Sequence, residues 1–477
     1  MSDELALKLC ECEAKGYVIA PAGYGKTHLI AMAVQKATRR QLILTHTFAG
    51  VNSIKVKMAT LKVPAANFHV DTIASFSLRI CLAYPKSSGW NTANPDGVKW
   101  NNLYESCVGL LAKPFIQKIL TATYQGVYVD EYQDCSDLQH ALVSQLAEFL
   151  PTRILGDPMQ AIFEIGDQVP VDWEKSVYPT FESLGKLERP WRWENAEQPQ
   201  LGAWLKAVRA KLENGEKFDL VVGRPTSVNF ECVEPDWLEA RQCATILKLL
   251  GNEQSVMALH GGDNISKART HKLAQKTSGK FSSIEEIEGK VLHAFIKKLA
   301  KAKTVQIGFL LIVNFAKDCF TKVGEVLTAG TRDGKIAKET RATKYPLLLS
   351  AANAYLADPT SQNLKDFFLA LRDNPETGAY RRDLLYRFLN VLKIHIDKEA
   401  ETLTDAAALY QRDMRQSGRP ISHRKLIGTT LLVKGLEYDH AVVLNADALN
   451  AKHLYVAMTR GSKSLTIISS TRYLPAG

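Results

Sequence analysis

The sequence predicts an α/β protein with two parallel sheets, each interrupted by an insertion, the second insertion mostly helical. Three observations carry this expectation. Short apolar β-type runs alternate with helical patterns through the first third of the chain; strand character returns past Ile427; and the stretch from about Asn264 to Ala400 reads almost entirely as helix. With 477 residues, at roughly 150 per domain, the chain has room for about three cores.

In chain order, the expected strands of the first sheet are Tyr17–Ala20, Gln41–Thr45, Asn67–Val70, Gly126–Asp130 and Arg153–Leu155. Between Tyr84 and Tyr124 the alternation lapses into a Pro/Gly/Asn-rich stretch, Pro85 to Gly109, followed by a helical piece. Beyond Trp193 come amphipathic helices around Gln198–Lys211 and Asp236–Leu250, then the apolar run Ser255–Leu259. In the next segment Ile284, Ile287, Val291, Leu292, Phe295, Ile296 and Leu299 recur at helical spacing with lysines on the other face. Leu426–Val433, His440–Asn445 and Ser464–Ser469 are the expected late strands. The partition that follows is a first domain of 1–84 and 124–190 with a small insertion at 85–123. A second domain of 191–263 and 406–477 carries the helical insertion at 264–405.

Composition excludes several classes. At 46% hydrophobic and 23% charged, with 29 Gly and 18 Pro, the chain is neither collagenous nor wholly disordered. The opening residues carry Asp3, Glu4, Glu11 and Glu13 without an apolar run, so no secretory leader is expected. The apolar stretches Ile307–Phe315 and Leu347–Ala357 are too short to span a bilayer. A cytoplasmic protein without membrane partners is the expectation. The eight cysteines show no Cys-x-x-Cys pairing, which favours reduced thiols over zinc or bridges. The net charge is +10, and residues 264–345, with 17 Lys/Arg against 7 Asp/Glu, carry all of it. Those lysines either face water or follow the phosphates of a nucleic acid.

Chemistry enters at three strand ends. Ala20-Pro-Ala-Gly-Tyr-Gly-Lys-Thr27 follows an apolar strand and opens a helical pattern at His28. Gly23 and Gly25 let the backbone curl so that its N–H groups face a phosphate. Lys26 then reaches the β- and γ-phosphates, Thr27 is a Mg²⁺ ligand, and the helix N-terminus adds partial positive charge. Val127-Tyr-Val-Asp-Glu-Tyr-Gln-Asp134 ends a second strand in Asp130, which holds Mg²⁺ directly or through water, and in Glu131, placed to orient and deprotonate an attacking water. Leu155-Gly-Asp-Pro-Met-Gln160 is a third polar strand end, where Gln160 senses the γ-phosphate or the attacking water. Phosphoryl transfer also needs cations, and Arg192 and Arg460 stand out by position.

The order of these motifs resembles that of the superfamily 1 helicases of the UvrD/PcrA/Rep type along most of the chain. Ala20–Thr27 is similar to helicase motif I. Leu44-Thr-His-Thr47 and Asp71-Thr-Ile-Ala-Ser-Phe76 are similar to the two strand-contacting motifs after it. Asp130-Glu-Tyr-Gln-Asp134 resembles the Asp-Glu-x-Gln-Asp box, and Gly156–Gln160 the third motif. Leu187-Glu-Arg-Pro-Trp-Arg192 resembles the Asn-Tyr-Arg segment, Lys434-Gly-Leu-Glu-Tyr438 the Lys-Gly-Leu-Glu-Phe motif, and Tyr455-Val-Ala-Met-Thr-Arg460 the Tyr-Val-Ala-x-Thr-Arg motif.

The resemblance implies two RecA-like P-loop domains with ATP between them, and Arg192 and Arg460 as arginine fingers, the latter from the second domain. It implies nucleotide contacts at Ala22, Gly23, Tyr24, Gly25, Lys26, Thr27, His28 and Glu437. Strand contacts are implied at Thr47, Thr72, Phe163 and Thr429. The activity implied is ATP- and Mg²⁺-dependent 3′–5′ translocation on single-stranded or tailed duplex DNA. The chain departs from the family pattern where it lacks the upstream Gln, has Ala74 and Leu431 in place of histidines, and offers Phe163 and distant Trp173 for an aromatic pair. The compact form resembles the helicase subunits of antiphage systems such as Gabija, which work beside a separate nuclease. The alternative expectation is a DNA-responsive ATPase that regulates such a nuclease without processive unwinding.

Overall fold

A computed structural model of the protein describes residues 2–93, 95, 99–162, 170–251, 254–261, 264–284, 288–417 and 423–476. Phe163 and Ile287 lie outside the described residues. The chain forms two compact units. The first is Met1–Phe218 with Gly223–Ser227 and Asn450–Lys463; the second is Asp219–Val222, Val228–Leu449 and Ser464–Gly477.

The first unit holds a six-stranded sheet: β1 (Lys15–Ile19), β2 (Gln41–Thr45), β3 (Phe68–Thr72), β4 (Gly126–Val129), β5 (Thr152–Gly156) and β6 (Glu182–Lys186). Their order is β3-β2-β4-β5-β1-β6, and every pairing is parallel. Parallel strands are covered on both faces, so they read as unbroken apolar runs. Leu42-Ile-Leu44, Val127-Tyr-Val129 and Ile154-Leu155 are all buried, as that reasoning requires. β6 escaped the sequence reading because it is a polar edge strand, Glu-Ser-Leu-Gly-Lys, exposed at Glu182, Ser183 and Lys186 and half-buried between them.

The insertion at 85–123 is not a separate lobe. Its helix Lys99–Leu111 starts well before Gly109, because Leu103, Tyr104, Cys107, Leu110 and Leu111 share one face. That face, with Ile116 and Leu120 of the helix Pro114–Thr123, joins the core that also contains Leu42, Ile73 and Val127. Trp173 is buried in the same core, edge-on to Tyr17 and Tyr132, so it offers no stacking surface.

The second unit holds the other sheet, built from β7 (Val228–Cys232), β8 (Val256–His260), β9 (Ser282–Ser283), β10 (Lys425–Thr429), β11 (Tyr438–Val443) and β12 (Gly461–Ser469, which enters this unit at Ser464). Their order is β9-β10-β8-β11-β12-β7. β9 runs parallel to β10, β10 and β11 to β8, and β12 to β7. These are the two parallel-sheet domains of the expected RecA-like plan. The expected strand Leu426–Val433 stops at Thr429, whose carbonyl accepts the N–H groups of Leu432 and Val433 and turns the chain.

The helical insertion has its own core, with Phe295 stacked on Phe315 at 4.0 Å and Phe388 edge-on to both. Its limits differ from the expected 264–405. The helix Asn264–Lys276 gives Leu273 and Ala274 to the core of the sheet, while Ala406, Ala407 and Tyr410 of the helix Leu403–Ser417 belong to the insertion. Lys290, Lys297 and Lys298 lie on the exposed face of the helix Glu288–Ala300.

Asn450–Lys463 falls in the first unit, not in the second as the expected partition had it. The helix Ala451–Met458 packs on the helix Pro199–Glu213 and on the turn Pro158–Gln160. Leu454 through Arg460 are all buried.

Candidate nucleotide site at the strand ends of the first sheet

β1, β5 and β4 are neighbours in the sheet, so their C-terminal ends lie side by side. β1 leads into the loop 20–25, where Gly23 and Gly25 adopt φ of 77° and 89°. These values suit glycine, and a Cβ on Gly23 would also come within 2.9 Å of the Arg192 Cβ. The helix Lys26–Lys36 starts directly after the loop with no side-chain cap, leaving its first N–H groups for an anion.

Lys26 is only 9% exposed and meets two carboxylates: its Nζ lies 2.5 Å from Glu131 Oε2 and 3.5 Å from Asp130 Oδ1. Burial opposes the ammonium, but Glu131 and then Asp130 outweigh it and raise the lysine's pKa. Burial acts in the other direction on Asp130 and pushes its carboxyl up to about 6 against the pull of Lys26. Lys26 lies closer to Glu131 and so neutralises Asp130 incompletely. With both carboxylates ionised, the trio bears one net negative charge.

That charge and the donor set fit Mg²⁺. Thr27 Oγ1 and Asp130 Oδ2 are hard oxygens 3.5 Å apart. Among the described residues there is no cluster of three or more His, Cys, Asp or Glu able to hold a metal. The Thr27 and Asp130 oxygens suit an ion that takes its remaining ligands from water and phosphate.

Glu131 adopts φ 56°, a left-handed conformation that costs a non-glycine residue about 1–3 kcal/mol. Gln133 braces it, donating from Nε2 to Glu131 Oε2 at 2.6 Å and accepting the Asp157 N–H at 2.9 Å. Gln160 donates from Nε2 to Asp157 Oδ2 at 2.9 Å. Arg460 Nη2 is 3.4 Å from Gln160 Oε1, so the arginine expected from the second domain belongs to the first unit. Arg192 lies against the loop itself. Its N–H donates to the Gly23 carbonyl at 2.9 Å, and its Nη1 to the Thr459 carbonyl at 2.7 Å.

The remaining expected residues divide. Ala22 and Tyr24 are buried in the loop and His28 is half buried behind it, its pKa lowered mainly by burial. Glu437 is an exposed residue of the second unit. Thr47 and Thr72 cap helices, accepting the N–H groups of Gly50 and Ser75, both at 3.0 Å. Thr72 and Thr429 are each 2% exposed. His46 of the Leu44–Thr47 motif packs beside Cys135.

Sequence reasoning missed Gln133, Arg209 and the Tyr455 hydroxyl as parts of the site. It also missed Trp191, whose indole edge faces Gly25 and whose ring lies under the Arg189 guanidinium at 3.7 Å. Gln133 and Tyr455 stood within quoted motifs; Arg209 sits in an ordinary amphipathic helix and left no local signal. All eight cysteines are free thiols. Among the described residues, no helix is long and apolar enough to cross a membrane.

A family model described as an AAA domain matches residues 6–165. No curated protein sequence matches the chain. Among solved structures, the chain is similar to an arterivirus nonstructural protein 10 (helicase) in complex with DNA. Identity is 14% over 54% of this chain and 50% of that one, with a TM-score of 0.29. It is also similar to the PRRSV helicase, at 11% identity over 98% of this chain and 54% of that one, with a TM-score of 0.33. The chain thus spans about half the length of these two structures.

Proposed function

We propose that the chain is an ATP-hydrolysing motor that acts on nucleic acid, a helicase or translocase on single-stranded or 3′-tailed DNA. The observation that carries this reading is the convergence of Lys26, Asp130, Glu131, Gln160, Arg192 and Arg460 on one end of one sheet. A structural nucleotide site has no need of an acid, a water-orienting amide and two arginines together.

In this reading the loop amides and Lys26 take the phosphates, which requires Lys26 to exchange Glu131 for phosphate oxygen. Glu131, so released, accepts the proton of the attacking water. Gln160 orients that water, and Arg192 and Arg460 meet the charge that develops on the transferred group. Thr27 and Asp130 would hold Mg²⁺, whose chemistry there is neutralisation of phosphate charge. Glu437 is the remaining nucleotide contact proposed on the resemblance of Lys434-Gly-Leu-Glu-Tyr438. Strand contacts fall to Thr47, Thr72, Phe163 and Thr429, with 3′–5′ polarity. A separate nuclease in an antiphage complex is the proposed partner.

One observation favours a second reading, a DNA-responsive ATPase that licenses a nuclease without unwinding. The hydroxyls of Thr47 and Thr72 are engaged as helix caps, and Thr72 and Thr429 are closed to solvent. ATP hydrolysis with and without single-stranded DNA, alongside unwinding of 3′- and 5′-tailed duplexes, separates the two. Stimulated hydrolysis with unwinding of the 3′-tailed duplex supports the motor. Stimulated hydrolysis without unwinding supports the switch, and no hydrolysis overturns both.

A further inference from the structure

Arg209, on the helix Pro199–Glu213, is a buried cation that the hydrolytic reading leaves unused. Its guanidinium grips Asp157 with both arms, Nη1 to Oδ2 and Nη2 to Oδ1, each at 2.7 Å. Nη1 also donates to Tyr455 Oη at 2.9 Å, and Nη2 pairs with Glu213 Oε1 at 2.8 Å. Four of the five N–H groups of the fork are thereby used.

Both partners of Arg209 reach the candidate site. Asp157 Oδ2, already held by Arg209, accepts the Gln160 Nε2. A carboxylate in such a pair only accepts, so it dictates which end of the Gln160 amide faces it. The amide nitrogen turns to Asp157, and the carbonyl oxygen is left on the side of Arg460. Tyr455 Oη, the other partner, accepts the N–H of Ala22 in the phosphate loop at 3.2 Å.

We infer that Arg209 is a positioning residue for hydrolysis: by clamping Asp157 it fixes the orientation of the Gln160 amide, and through Tyr455 it ties that amide to the phosphate loop. Lysine in its place would keep the charge but lose the two-armed grip, leaving Asp157 and Gln160 free to rotate. The inference rests on the hydrolytic reading of the same site.

The test is steady-state hydrolysis of Mg-ATP by the full chain, with binding of a fluorescent ATP analogue measured in parallel. Arg209→Lys is expected to lower kcat about tenfold with KM little changed, because the amide acts in the transition state. In a Gln160→Ala background the same substitution is expected to change kcat by less than about twofold, since its effect passes through Gln160. A purely structural ion pair would lower kcat by the same factor in either background. Tyr455→Phe, which removes one oxygen, is the second variant should Arg209→Lys not fold, and is expected to repeat the pattern more weakly. Wild-type kcat in both variants, or full multiplicative losses in the Gln160→Ala background, overturns the inference while the hydrolytic reading stands. An unmodified chain that neither binds nor hydrolyses ATP overturns both.

Discussion

In the first unit the ends of β1 and β4 carry a lysine paired with two carboxylates, the end of β5 carries Gln160 bonded to Asp157, and Arg460 and Arg192 lie against Gln160 and the glycine loop. In the second unit the ends of β8 and β10 carry His260, Thr429 and Thr430, all buried, and the chain after β8 reads Gly-Gly-Asp-Asn with no lysine–threonine pair. Both units are six-stranded α/β sheets. The same frame therefore carries clustered charges at its strand ends in one unit and buried His and Thr side chains in the other. What differs is the residue type at a few strand ends, which is why function has to be argued from the site and not from the sheet. The insertions differ in the same manner: the first shares the core of its sheet, and the second builds an aromatic core of its own.

The sharpest way to break this contrast is Lys26→Ala. It is expected to reduce hydrolysis by about a thousandfold or more, since phosphate charge loses its principal cation. Turnover near wild type in a hydrolysis assay would mean that the first unit is not the catalytic one. Next in size, Phe388→Ala in the aromatic core of the insertion is expected to cost about 3–5 kcal/mol. Urea unfolding should show that loss, while nucleotide-analogue binding persists below the new transition.

The titration of the two units also separates them. Asp130 has a folded pKa raised above 3.8, so between 3.8 and about 6 the native state binds more protons and its contribution to stability falls as pH rises. Buried His440 has its pKa lowered by desolvation from 6.5 to about 4. In that window the unfolded state binds more protons, so its contribution is complete above pH 6.5 and lost as pH falls through 4. Unfolding free energies measured from pH 4 to 7 should become less steep in pH for His440→Gln and steeper for Asp130→Asn. The smallest effect compares two helix caps. Thr47→Ala in the first unit and Thr304→Ala in the second, which caps at Ile307, should each cost about 1 kcal/mol by chemical denaturation. Only Thr47→Ala should also weaken stimulation of hydrolysis by single-stranded DNA.

The local parts of the molecule were legible from the chain alone. The loop glycines, Lys26 and Thr27 follow a strand and open a helix, and Asp130 ends a buried strand. These features depend on neighbours in sequence, through backbone sterics and the period of burial. Strands without such a signal stayed hidden, as with polar β6 and the two-residue β9. So did the helix that begins at Lys99 inside a polar stretch.

Tertiary structure alone decided which distant side chains complete the site. Arg209 meets Tyr455 across 246 positions, Arg460 meets Gln160 across 300, and Ala22 meets Tyr455 across 433. No local propensity encodes such pairs. They form because buried donors and acceptors must be satisfied wherever the packed elements bring them. The sequence by itself determined the two α/β sheets and the glycine loop that opens the helix Lys26–Lys36, since both follow from short-range rules. The placement of Arg460 in the first unit and the clamp of Arg209 on Asp157 came only with the packing of the helix Ala451–Met458, because that contact is made in space between residues far apart in the chain.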